Sequence, residues 1–123
     1  VPFDPVKQVN ITNMIGITEP APVPGKAVFT FEGHKVELLP IDEGDDLFFV
    51  LTDLTAGEET YEASRFLYAP KPKPGEHTVV LDFNRMQNPP CAFTAFATCP
   101  LPPKENRLPF RVPAGEKKYR GEN

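Results

Sequence analysis

Proline is the sequence feature that most constrains how this chain folds. There are 16 prolines among 123 residues, against an average usage of about 5%. Each proline lacks a backbone N–H and fixes φ, so it is kept out of helix interiors and central strands. We therefore expect the prolines in loops, turns and sheet edges, and a helical bundle is nearly excluded. The clusters lie at 20–24, 70–74, 89–90 and 100–103.

Alternating hydrophobicity predicts short strands between these clusters. Residues 26–39 are predicted to form a hairpin around Glu32-Gly33, because apolar and polar residues alternate on both sides. Residues 47–53 are predicted to form a central strand covered on both faces, because its first five residues, 47–51, are all apolar. Further strands are predicted at 64–68, after a turn, at 77–83, and at 108–112, where Pro109 suggests an edge or a bulge.

Short strands between glycine and proline turns predict an all-β fold. The expected architecture is an antiparallel sandwich or half-open barrel with proline-rich loops and about six to eight strands. Because 123 residues is near the usual size of one domain, we expect residues 1–123 to form a single β domain.

Charge and hydropathy disfavour two functional classes. The formal net charge is −4, from 17 acidic and 13 basic residues, so nucleic-acid binding is disfavoured. No apolar run approaches the roughly 20 residues of a membrane span. We expect a soluble protein, with the cytoplasm slightly favoured over export. The chain begins at Val1 rather than Met, so we expect that an upstream segment was removed.

Polar residues collect at the ends of the predicted strands, and they are the candidate ligand-binding residues. In a strand, every second side chain lies on the same face. Asp53 would share a face with Leu51, and Asp82 with Val80, so both carboxylates are expected to approach the sheet. A carboxylate placed there must be paired or hydrogen-bonded. The candidates are Asp53, Thr60, Tyr61, Arg65, Asp82, Asn84, Arg85, Asn88, Cys91, Glu105, Asn106 and Arg107.

Arginine is the expected partner of these carboxylates, because a guanidinium can donate two parallel hydrogen bonds. We predict that Asp53, Asp82 or both pair with Arg65, Arg85 or Arg107. Such pairs either tie loops to the sheet or surround a ligand. An arginine left uncompensated would favour a small anionic ligand carrying a carboxylate or phosphate.

The two cysteines leave three interpretations open. Cys91 and Cys99 are eight positions apart, unlike the close spacing of a redox pair or zinc knuckle. They form a structural disulfide in an oxidising compartment, or two buried free thiols in the cytoplasm, or they include a catalytic thiolate.

No metal, cofactor or catalytic residue is predicted. His34 and His77 show no ligand spacing with the cysteines, and each is expected to be exposed at a strand end. Nucleotide-binding glycine motifs and the common hydrolase motifs are absent from the sequence.

Several longer motifs resemble a known family. The motif of residues 53–61 with Arg65 precedes a series that looks like the C-terminal signature of a bacterial domain-of-unknown-function family, number 1684. That series is LDFNR at 81–85, NPPCAF at 88–93, TCPLPP at 98–103, ENRL at 105–108 and AGEK at 114–117.

The resemblance implies an all-β domain, cytoplasmic or exported, with no established activity. It covers residues 25–119, which leaves an N-terminal arm at 1–24 and a tail at 120–123. It also implies an additional N-terminal segment in family members, which we expect this chain to lack or to have lost.

Three hypotheses of function follow. The favoured one is a non-enzymatic domain that binds a small molecule or a partner in a pocket at one end of the sheet. The alternatives are a small hydrolase-like enzyme using the polar residues, and a purely structural role for them. The enzyme is less favoured because it also needs an activated nucleophile or a tuned acid–base pair.

Overall fold

Antiparallel β-strands build the framework of this protein. Its structure is a computed structural model that describes residues 1–13, 16–57, 64–73, 75–76, 78–89 and 99–117. The strands in these ranges are β1 (Pro2–Thr12), β2 (Thr18–Gly25), β3 (Ala27–Phe31), β4 (His34–Leu38), β5 (Ile41–Glu43), β6 (Asp46–Leu51) and β7 (Arg65–Pro70).

These strands form three antiparallel sheets. Two are hairpins, β1–β2 and β3–β4, and the third has the order β5–β6–β7. The sheets do not close into a barrel, and the described residues contain 3₁₀ turns but no α-helix. The predicted all-β antiparallel fold is therefore confirmed.

The β3–β4 hairpin has the predicted position and turn. Glu32 and Gly33 are the turn residues, with φ of 48° and 81°. Two successive positive φ angles are typical of the type I′ turn, which joins two hairpin strands because its twist matches that of the strands. Phe31 and His34 pair across this turn, and His34 is exposed, as predicted.

Strand β6 is the buried centre of the fold. Its residues 47–51 are all at most 7% exposed. On one face, Leu47, Phe49 and Leu51 join the core with residues of β4 and β7. On the other face, Val50 lines a narrow gap with Val9 and Val23 of the first hairpin. The prediction of a central strand covered on both faces is confirmed.

The 20–24 proline cluster lies within β2, an edge strand of the two-stranded β1–β2 sheet, rather than in a loop. Asn13 N donates to Ile17 O at 2.9 Å, so these residues are a hydrogen-bonded pair of the antiparallel ladder. Pairs alternate in such a ladder, which places Pro20 and Pro22 at non-hydrogen-bonded positions. Their missing N–H groups therefore face away from β1 and cost no ladder hydrogen bond.

The predicted strand at 77–83 is not present in the described residues 78–83. Burial does alternate there: Val79, Leu81 and Phe83 pack against the core, and the residues between them are exposed. None of the described strands pairs with this segment, and a 3₁₀ turn at Phe83–Arg85 ends it. Alternation of apolar and polar residues indicates that one face of a segment is buried. A β-strand also needs a neighbouring strand with which it forms hydrogen bonds.

The predicted closing strand at 108–112 is also irregular. Its alternation is correct, since Leu108, Phe110 and Val112 are buried. The segment runs beside the continuation of β6, with Leu108 N donating to Thr52 O at 2.8 Å. Leu54 N also donates to Phe110 O at 3.1 Å, but only Thr52 and Arg107 form a bridge, an isolated parallel one, so the segment is not a regular strand.

Candidate functional site

A buried polar cluster joins the end of β6 to the start of β7. Asp53 and Arg65 have side chains only 3% exposed, and Arg65 Nη2 lies 3.5 Å from Asp53 Oδ1. Nη2 also donates to the Val112 carbonyl at 2.7 Å, and Nη1 donates to the Ala114 carbonyl. Thr55 Oγ1 lies 2.9 Å from both Asp53 oxygens, and Val112 N donates to Oδ2. The predicted pairing of Asp53 with an arginine is confirmed.

This cluster, which we call the Arg65 network, is closed to ligands. Burial lowers the pKa of the Arg65 guanidinium, and the charge of Asp53 opposes that shift. Protein carbonyls and a carboxylate accept from both terminal nitrogens of Arg65. The gap beside the pair, between Met86 and Leu108, does not admit a water molecule.

Gly115 lets the AGEK segment close over the Arg65 network. Its φ is +83°, and a Cβ there would lie 2.8 Å from Phe83 O and 2.9 Å from Met86 Cβ. Real Cβ atoms do not approach so closely, so the position requires glycine. The AGEK motif therefore has a packing reason for its glycine.

Asn106 is a second buried polar connection. Its side chain is fully buried and joins elements far apart in sequence. Oδ1 accepts from Leu39 N at 2.8 Å, while Nδ2 donates to Leu39 O at 2.9 Å and to Val50 O at 3.0 Å. The amide therefore ties the 3₁₀ turn Lys104–Asn106 to the end of β4 and to β6.

Asn88 is hydrogen-bonded to the last two residues of the AGEK motif. Its N–H donates to Glu116 Oε1 at 2.7 Å, and its Nδ2 donates to Lys117 O at 2.8 Å. Its Oδ1 and the Oγ of Ser64 are buried and have no hydrogen-bond partner among the residues that the structure describes. Asn88 therefore shares the bracing pattern of Asn106, with one acceptor left over.

The remaining described candidates lie at the surface and do not converge on the Arg65 network. Asp82 was expected to approach the sheet, which is wrong. It is exposed and accepts from Asn84 N at 3.0 Å, as the N-cap of the 3₁₀ turn. Because its carboxylate is satisfied locally by this N–H and by water, it needs no arginine partner at the sheet. The other exposed candidates are Asn84, Arg85, Glu105 and Arg107.

Three candidates, Thr60, Tyr61 and Cys91, lie outside the described residues, as does His77. Cys99 is buried and disulfide-bonded. Among the three interpretations of the cysteines, the disulfide is therefore the one found for Cys99.

Two adjoining cavities lie between the start of β3 and the segment after β7. One, of about 390 Å³, separates β3 from residues 78–83. The other, of about 360 Å³, extends toward residues 71–73 and 75–76. Val1, Lys26, Ala27 and Val79 line both, and we call the two together the β3 groove.

None of the sequence-predicted site residues that the structure describes lines the β3 groove. The available signal was the alternation of Val79, Leu81 and Phe83, which showed that one face of this segment is buried. This alternation does not indicate that a cavity separates the segment from β3. No group of three or more potential metal ligands occurs in the described part of the chain. No helix there is long and apolar enough to cross a membrane.

The fold and the Arg65 network define an antiparallel all-β domain braced by buried polar side chains. The chain belongs to the family described as "Protein of unknown function (DUF1684)", whose profile matches residues 1–117. The resemblance found in the sequence is confirmed, and the match includes the segment 1–24 that was expected to be an arm outside it.

The chain is also similar to an uncharacterized protein from Haloarcula marismortui, known from its solution NMR structure. The TM-score is 0.75 at 26% sequence identity, and the match covers 95% of this chain and 66% of that one. The chain thus spans slightly less than two thirds of that protein's length. A comparison with curated proteins gave no match.

Proposed function

We propose that this chain is a non-enzymatic binding domain whose ligand occupies the β3 groove. The supporting observation is the pair of adjoining cavities, each within the size range of ligand sites, which is about 300 to 1,000 Å³. Their walls combine apolar side chains such as Phe29 and Phe83 with a few charged groups. That combination is typical of binding sites.

In this proposal the polar motif residues are structural. Asp53, Arg65 and Asn106 already use their polar atoms within the protein, and the gap beside Asp53 and Arg65 admits no water. A buried polar group that is fully satisfied stabilises one arrangement of the chain. The motif thus holds the framework on which the groove is built.

An anionic group on the ligand would meet lysines rather than arginines. Lys26, Lys71 and Lys73 line the groove. Lys26 pairs with Glu37 at 3.4 Å and Lys71 with Asp42 at 2.6 Å, which leaves Lys73 as the cation with most freedom to meet a ligand. The expected ligand is therefore mainly apolar, with at most one acidic group.

Ligand-induced thermal stabilisation tests this proposal, because a ligand of the native state raises apparent stability. A panel of fatty acids, dicarboxylates, sugar phosphates and short peptides is screened for a rise in Tm. Ala27→Phe fills a position common to both cavities and is expected to abolish the rise. Val80→Phe is the matched control, since Val80 is 80% exposed and lies outside the groove lining. A shift that survives Ala27→Phe would place the ligand elsewhere.

A further inference from the structure

One edge of β3 carries unpaired backbone groups. Phe31 and His34 flank the two-residue turn and so form a hydrogen-bonded pair. Because pairs alternate along the ladder, Ala27 and Phe29 also face β4, and Val28 and Thr30 face the opposite edge. No described residue makes a backbone hydrogen bond to Val28 or Thr30 on that edge.

The opposite wall of the groove is an extended segment that pairs with no strand in the described ranges. Burial alternates residue by residue from Thr78 to Phe83, which is the period of a strand. The backbone of residues 78–81 makes no backbone hydrogen bond within the described chain. A cavity of about 390 Å³ lies between this segment and β3. The gap is therefore bordered on one side by the open edge of β3 and on the other by a segment with no backbone hydrogen bond to the described chain.

The β1–β2 ladder ends next to this edge, at the backbone pair of Val1 with Lys26. Val1 N donates to Lys26 O and Lys26 N donates to Val1 O, both at 2.8 Å. This pair continues the register of Pro2 with Gly25. Lys26 has the same parity as Val28 and Thr30, so an extended chain already pairs antiparallel with the first position of the edge.

Elsewhere the protein blocks a sheet edge. The outward positions of β2 carry Pro20 and Pro22, which cannot donate to an added strand. The sequence of β3, Ala27–Phe31, contains neither proline nor charge, and Val28 is 42% exposed. An unblocked edge of this kind is a template for strand addition.

We propose that the β3 groove binds an extended peptide segment of a partner protein, which adds as an antiparallel strand to β3. This inference rests on the proposed function. The peptide exchanges backbone hydrogen bonds with Val28 and Thr30, as in other cases of β-strand addition. Its residues opposite Ala27 and Phe29 point to the apolar side of the groove, so the partner segment alternates apolar and polar residues.

The probe is a capped hexapeptide of alternating valine and threonine, added to the whole protein. Val28→Pro removes an N–H that bonds nothing in the described chain, so folding is kept, whereas peptide affinity is expected to fall about tenfold or more. Val28→Ala retains the N–H and is the matched control, expected to stay within about threefold. Thr30→Pro serves as the second variant if Val28→Pro does not fold.

Hydrogen exchange of the Val28 and Thr30 amides gives an independent readout. Both are expected to slow at least about tenfold on saturation with the hexapeptide. The strand-addition proposal is overturned if the hexapeptide does not bind, if exchange is unchanged, or if Val28→Pro binds as well as Val28→Ala. Concentration-dependent dimerisation that Val28→Pro removes would also overturn it, since a second copy would then be the occupant.

The two proposals fail in different ways. If Ala27→Phe weakens hexapeptide binding but Val28→Pro and amide exchange show no effect, the groove binds ligands without strand addition. If Ala27→Phe has no effect on binding, the groove is not the site and both proposals are wrong.

Discussion

Arg65 is held at the start of β7 by three hydrogen-bond acceptors. They are the carboxylate of Asp53, the carbonyl of Val112 and the carbonyl of Ala114. A buried ion pair adds little net stability compared with apolar residues, because both charges lose their hydration. Removing one partner is costly, however, since the other charge is left buried and uncompensated.

Asp53→Asn is therefore expected to destabilise the fold by about 3 to 5 kcal/mol. The amide keeps the size of the side chain but leaves the Arg65 charge without its counter-ion. Asp82→Asn is the matched control, since asparagine caps a turn as well as aspartate and the expected change is below about 1 kcal/mol. Urea unfolding followed by circular dichroism measures both. Equal losses in the two variants would contradict the structural role of the Arg65 network.

Asn106→Ala is expected to destabilise the fold by about 2 to 4 kcal/mol, because the half-buried N–H and C=O of Leu39 and the buried C=O of Val50 lose a partner. Glu105→Ala, at the adjacent exposed position, is expected to change stability by less than about 0.5 kcal/mol. Thermal and urea unfolding of the two variants provide the comparison. A small effect of Asn106→Ala would show that water replaces the amide.

Strand β2 shows how a proline-rich sequence can still form a ladder. Its prolines at 20 and 22 alternate with Ala21, which is in register with Val9. Since Ala21 occupies a hydrogen-bonded position, its N–H faces β1, and the prolines face outward. Pro20 and Pro22 thus allow β2 to pair with β1 and prevent a further strand from pairing with its outer edge.

Moving a proline by one position is expected to reverse this effect. Ala21→Pro removes a ladder donor and leaves a β1 carbonyl unpaired, with an expected loss of about 1 to 3 kcal/mol. Pro22→Ala restores an N–H at the outer edge and is expected to change stability by less than about 1 kcal/mol. Urea unfolding tests the pair. A larger loss for Pro22→Ala would mean that the assigned register is wrong.

Across the whole molecule, one ion pair links the first strand of the three-stranded sheet to the segment that follows its last strand. Asp42 lies in β5, and Lys71 follows β7 and lines the β3 groove. The hydrogen bond from Lys71 is the main cause that lowers the pKa of Asp42, and the Gly44 N–H contributes. Lys71 is thereby positioned at the groove by a surface contact.

The lowered pKa of Asp42 makes this contact dependent on pH. Its contribution is complete above the pKa of an unfolded aspartate, about 3.9, and is lost as pH falls through the lower pKa of the folded state. In Asp42→Asn, Tm is expected to fall less between pH 5 and the acid limit than in the parent chain. Thermal unfolding across pH measures this, with Asp45→Asn as the control. Parallel curves for Asp42→Asn and the parent would contradict the linkage.

Sequence patterns were sufficient where the governing interactions are short in range. The hairpin β3–β4 follows from alternation around Glu32-Gly33, and the burial of β6 follows from its unbroken apolar run. They were insufficient for residues 78–83 and 108–112, where alternation was read correctly as burial but wrongly as strand pairing. A ladder depends on a neighbour that may come from any part of the chain, and periodicity does not identify it.

The all-β class, the hairpin turn, the central strand and the need of Asp53 for a cationic partner were all predictable from the amino-acid sequence. Each of these depends on local backbone preference or on the high cost of burying an unpaired charge. Tertiary structure alone decided that Arg65 is that partner, that Asn106 reaches Leu39 across 67 residues, and that β3 and residues 78–83 border a groove. These are contacts between distant parts of the chain, and they arise only when the sheets pack and fix which backbone edges remain unpaired.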